Sequence, residues 1–110
     1  MATIEDFGRI DMRVGTVVQA EPFPEARKPA LKLVIDFGSE LGHKRSSAQL
    51  TMHYQAAELV GRRVVAAVNL GERRIAGFVS EVLVLGAVPE PGAVLLLDVD
   101  GSVPDGTRIS

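Results

Sequence analysis

The sequence predicts an all-β fold: a small five-stranded Greek-key barrel with a short helix between strands 3 and 4 and N- and C-terminal extensions. Three observations point there. Leu31, Leu33, Ile35 and Phe37 alternate with Lys32, Val34 and Asp36, the period of a sheet with one buried face. The composition is 46% hydrophobic but only 5% aromatic, so the core is mostly Val, Leu, Ala and Ile, and its β-branched share favours sheet. The third observation is the order of the elements. The length of 110 residues suits one domain, residues 1–110.

Residues 3–10 begin with a helical turn. Thr3 suits the cap, Glu5 and Asp6 the positive end of the helix, and Gly8 its end. Ile4 and Phe7 share a face that must pack on this barrel or on a partner subunit. Met12–Ala20 is the first strand, and its Gly15 stands where glycine often marks a bulge or a barrel bend. Three prolines make 21–29 a loop. Leu31–Phe37 is the second strand, and 38–42 is a turn. His43–Leu50 is the third strand, poor in apolar residues and therefore on a functional or edge surface. A short helix at Tyr54–Val60 ends before Gly61, the usual glycine position after a helix. Arg62–Leu70, apolar through 64–68, reads as a fourth strand covered on both faces. Val82–Leu85 is the fifth. A turn at 89–92, a short strand at 94–97, turns at 98–101 and 104–106 and a last strand at 107–109 complete the chain. Three strands, a helix and two strands is the order of an OB-fold, whose second and third strands and neighbouring loops bind extended ligands. The two late strands would lie outside the barrel. Apolar residues at both ends suggest self-association as a two-fold dimer.

The formal charge of −2 argues against indiscriminate nucleic-acid binding. The charge is uneven: 11 basic and 7 acidic residues lie between Arg9 and Arg74, against 1 and 5 from Ile75 to Ser110. A basic face can therefore exist on an acidic protein. The absence of cysteine excludes disulfides, thiolate catalysis and Cys-based zinc sites. No apolar run approaches the roughly 20 residues of a membrane span, and residues 1–7 lack the basic and apolar regions of a signal peptide. The expected location is the cytoplasm, without membrane insertion. His43 and His53 have no metal-ligand or triad spacing, and 98–101 lacks the remaining ligands of a calcium loop. No base or oxyanion site accompanies Ser46 and Ser47. The expectation is a protein that is not an enzyme and needs neither metal nor cofactor.

The informative stretch is Asn69–Leu85. A connection serving only as a turn closes in a few residues, commonly through Asn-Gly. This one is longer and carries Arg73, Arg74, Phe78, Ser80 and Glu81. With Lys32, Lys44 and Arg45, its arginines come from strands and loops that share one face of an OB barrel. They either line a groove for anions or carbonyls or form a solvated polar face. Phe78 either stacks on a ligand or plugs the barrel.

Asp11-Met-Arg-Val-Gly-Thr-Val17 resembles the opening of the tRNA-binding OB domains of methionyl- and phenylalanyl-tRNA synthetases and of the endothelial monocyte-activating polypeptide family. Glu58–Leu70 is similar to their helix and fourth strand. Across nearly the whole chain the resemblance is to the CsaA group of stand-alone protein-secretion chaperones. It is carried by Phe23-Pro-Glu-Ala-Arg27, Leu31–Gly38, Ser46-Ser-Ala-Gln49, Arg73–Phe78 and Ser80–Gly86. That resemblance implies a cytoplasmic homodimer, joined through its terminal segments, that binds unfolded or preprotein polypeptides for export and interacts with the secretion motor ATPase. The wider family implies tRNA as the alternative partner. The relatives' polar positions fall on Lys32, Asn69 and Ser80, and their Ser-Gly on Ser47-Ala48 or displaced along 46–49. With Arg45, Arg73, Arg74 and Phe78 these form the candidate peptide- or tRNA-binding set. Glu81 stands where a neutral amide would face RNA, Leu83 replaces a methionine, and Gln55 replaces a capping Thr. The first two move the expectation from RNA towards peptide.

Overall fold

A computed structural model describes residues 1–110. The elements run α1 (Ile4–Gly8), β1 (Met12–Pro22), β2 (Leu31–Asp36), α2 (Gly38–Leu41), β3 (His43–Ala48), α3 (Ala56–Leu59), β4 (Arg63–Ala67), β5 (Arg73–Ile75), β6 (Phe78–Ser80), β7 (Leu83–Val84), β8 (Gly86–Ala87), β9 (Leu95–Leu96) and β10 (Arg108–Ile109). Strand neighbours in the main sheet are β3-β2-β1-β4-β7, with β10 also on β1. This is the predicted all-β, OB-like barrel.

β1 is long enough to change partners. Its first half pairs with β4 from Met12↔Ala67 to Thr16↔Arg63, and its second half with β2 from Thr16↔Asp36 to Pro22↔Leu31. Gly15 lies at the changeover. A Cβ there would stand 2.7 Å from both Ile35 Cγ2 and Phe37 Cδ1, so close approach to the core requires the glycine. The bulge is elsewhere, where the β1–β2 register shifts between Val17 and Gln19.

The alternation in β2 places Leu31, Leu33, Ile35 and Phe37 in the core, and Val64 to Ala67 of β4 are buried as predicted. Leu59 of α3 is fully buried beneath them. Reciprocal capping fixes α1: Asp6 N donates to Thr3 Oγ1 at 3.2 Å and Thr3 N to Asp6 Oδ2 at 2.9 Å.

Two departures matter. The stretch between the fourth and fifth strands is not one long connection. It contains the β5–β6 hairpin, turning at Ala76 and Gly77 with φ of 48° and 83°, the positive pair of a type I′ turn. Of the late strands, β9 pairs with β8 outside the main sheet, but β10 joins it through Met12↔Ile109. Arg13 reinforces that junction by donating to Asp11, Glu40 and the Gly106 carbonyl.

Candidate functional site

The barrel closes between β3 and residues 80–82, and side chains do much of the closing. Glu81 N donates to the Arg45 carbonyl at 2.8 Å, and Arg45 N donates back to Glu81 Oε1 at 3.0 Å. Ser47 N donates to Ser80 Oγ at 3.0 Å, while the buried Ser46 hydroxyl lies 3.2 Å from the Val82 carbonyl it can donate to. Ser80 is itself 8% exposed, so its hydroxyl belongs to this seam.

Beside the seam, Lys32 of β2 stands opposite Ser47 of β3, and Val34 opposite Arg45. The hairpin brings Phe78 over them. Its ring meets Phe23 edge-on, with centroids 5.4 Å apart. Lys32 Nζ lies 5.2 Å from the Phe23 centroid and 5.7 Å from that of Phe78, and the Arg45 guanidinium lies 5.8 Å from Phe78. Phe78 is therefore a half-buried part of the wall, already covered by the protein's own cations. Those cations are also paired: Lys32 with Glu21 at 3.6 Å, Arg45 with Glu81 at 3.3 Å.

A groove runs along the base of the hairpin. Ser47, Arg73 and Ile75 line its whole length. At one end it continues to Ala26, Arg27, Lys28 and Gln49, and at the other to Leu50, Leu83, Val84 and Val94. One end is thus cationic and the other apolar.

The structure brings Lys32, Arg45, Ser47, Arg73, Phe78 and Ser80 together but not the rest of the predicted set. Arg74 pairs with Val79, one residue out of phase with Arg73 and Ile75, so its side chain takes the opposite face of the hairpin. Asn69 lines no cavity. Its side-chain oxygen accepts from Asp11 N at 2.8 Å and its amide donates to the Arg9 carbonyl at 2.7 Å, tying down the N-terminal arm. Lys44 is in phase with the buried Ser46, away from Arg45. Glu81 does not project at a ligand: it holds Arg45, with 22% of its side chain exposed.

The tRNA binding domain family model matches residues 12–108. The crystal structure of chaperone CsaA from Bacillus anthracis str. Ames is 56% identical with a TM-score of 0.95, covering 100% of this chain and 99% of that one. The CsaA chaperone protein from Picrophilus torridus is 46% identical with a TM-score of 0.91, covering 100% of both chains. The chain belongs to the tRNA binding domain family, in its CsaA group. A methionine–tRNA ligase of Thermotoga maritima is 38% identical over 109 residues, 98% of this chain but only 16% of the ligase. The part of the ligase that a CsaA-group chain resembles is thus a small fraction of that enzyme. Phe23, Arg27, Lys28 and Gln49 of this CsaA-group chain also border the site, outside the set expected from sequence. The available signal was an aromatic between two prolines, followed by a basic pair, in the loop that precedes β2.

Proposed function

We propose that this protein is a chaperone that holds unfolded or preprotein segments in the groove for export. It acts in the cytoplasm as a homodimer, with residues 1–110 as one domain and without metal or cofactor. The observation that carries the reading is the groove, which is open, apolar at Leu50, Leu83, Val84 and Val94, and polar at Ser47, Gln49 and Arg73. An extended segment there sets alternate side chains on the apolar floor while its main chain meets polar groups. The likeness to two CsaA chaperones over full length supports the class. The secretion motor ATPase is the further partner this reading assigns.

The dimer reading rests on apolar surface. Val88, Leu95 and Leu97 around the β8–β9 ribbon are 59%, 42% and 41% exposed, and Ile4 of α1 is 76% exposed. Exposed apolar residues of this size on a small domain fit a two-fold interface. Two grooves on one dimer would add avidity for a chain that spans both.

The second reading, tRNA binding, is favoured by the family model and the ligase relatives. Fluorescence anisotropy across a salt series separates the two, with molecular mass measured in parallel. A neutral apolar peptide should bind a dimer with little salt dependence. Binding of tRNA alone, falling steeply with salt as phosphate contacts release counterions, would replace the chaperone reading.

A further inference from the structure

We infer that the cationic end of the groove selects for carboxylate: its preferred occupant is an extended peptide in which an Asp or Glu adjoins an apolar residue. This rests on the peptide-binding reading above. The protein treats its cations in two ways here. Lys32 and Arg45 are matched by Glu21 and Glu81. Arg27, Lys28 and Arg73 enter none of the salt bridges of the chain. These three surround one concavity whose remaining lining, Ala26, Ala30, Ser47, Gln49 and Ile75, contains no acid. Unmatched charges of one sign around a concave wall add their potentials. Two of the three are guanidinium forks able to take both oxygens of a carboxylate.

Solvated surface arginines are ordinary, and the concavity's connections separate this case from that one. Ser47, Gln49, Arg73 and Ile75 also line the adjoining apolar end, so an occupant engaging the cations has its neighbouring side chain over Leu50, Val84 and Val94. Gln49 is an exposed lining residue of that path whose main-chain N–H and C=O form no backbone hydrogen bond within the protein. They can fix an extended chain running through it. The same charges repel basic segments, so selection works by exclusion as well as attraction.

The test uses the full chain and three labelled peptides of one leucine- and serine-rich sequence, carrying two Glu, two Gln or two Lys. Fluorescence anisotropy at low salt should order the affinities Glu, Gln, Lys, with Glu over Gln by about threefold to tenfold for partly exposed charge pairs. The Arg27→Gln/Lys28→Gln double variant, altered only at exposed side chains, should reduce that preference to what Arg73 alone supplies. Its affinity for the Gln peptide should fall by less than its affinity for the Glu peptide, and its circular dichroism should stay native. Equal binding of the Glu and Gln peptides by the unmodified protein overturns the selectivity while leaving peptide binding intact. Binding of none of the three overturns both readings. Labelled tRNA that binds tightly and displaces the Glu peptide assigns the cationic end to phosphate and overturns the inference.

Discussion

Replacing Phe78 with Ala asks whether that ring is part of the barrel wall. Phe78 is half-buried, its ring at 64° to that of Phe23, with Lys32 and Arg45 within 6 Å of its centroid. Truncating a fully buried Phe costs about 3–5 kcal/mol, so a half-buried one costs about 2 kcal/mol through lost burial. The edge-on pair adds about 0.5–1.5 kcal/mol, and each partly exposed cation contact about 0.5 kcal/mol. These contributions overlap, which puts the total near 2–3 kcal/mol. At about 4 °C per kcal/mol for a domain of this size, the melting temperature should fall by roughly 8–12 °C. Urea unfolding should show a lower midpoint at unchanged slope. Phe78→Leu should recover part of the loss, and Phe23→Ala, at a site 3% exposed, should cost more. A fall under about 2 °C for Phe78→Ala would mean that the ring stands free as a ligand platform and that the packing account is wrong.

Two further perturbations follow from the same geometry. Ala76 has φ of 48°, a left-handed conformation costly for an L-residue with a Cβ. Ala76→Gly should therefore raise stability by about 0.5–1 kcal/mol after the glycine's entropy cost, and a loss of stability would contradict the type I′ assignment. Asp98 accepts from Arg63 Nε at 2.5 Å, and that bond, joined by one from Val99 N, holds its carboxyl below the ordinary value of 3.8. A lowered folded value means the pair's stabilisation is complete at neutral pH and drains away as pH falls through the folded value. The melting-temperature gap between the unmodified protein and Asp98→Asn should thus be widest near pH 7 and narrow below about pH 4. A gap that grows on acidification would show that Arg63 does not hold Asp98.

Local physics made part of this molecule readable in advance. The period of two in β2, the apolar run of β4, the Thr3 cap and Gly61 after α3 each act within a few residues. What escaped acts across the chain. The β5–β6 hairpin turns on Ala-Gly instead of Asn-Gly, so its strongest local mark is half missing. Gly15 suggested a bulge, but its requirement comes from Ile35 and Phe37, about twenty residues away in sequence. Glu81 looked like an exposed charge because its partner, Arg45, becomes a neighbour only when the barrel closes. Arg27 and Lys28 belong to a proline-rich loop and meet Arg73 around one concavity only because that loop borders β3 in the fold. Motif resemblance marked Lys32, Ser47 and Ser80, which do gather, and Asn69, whose amide is engaged with the N-terminal arm.

The proposed path of an extended polypeptide runs along Ser47, Gln49, Arg73 and Ile75. The most direct measurement is a nitrogen–proton NMR titration of the isotope-labelled protein with an unlabelled unfolded peptide. Amide shifts should concentrate at those four residues and at Lys28 and Val84, leaving Asn69 and Gly101 unmoved. Shifts confined to the Val88–Leu97 ribbon, with the groove silent, would mean that the polypeptide binds elsewhere.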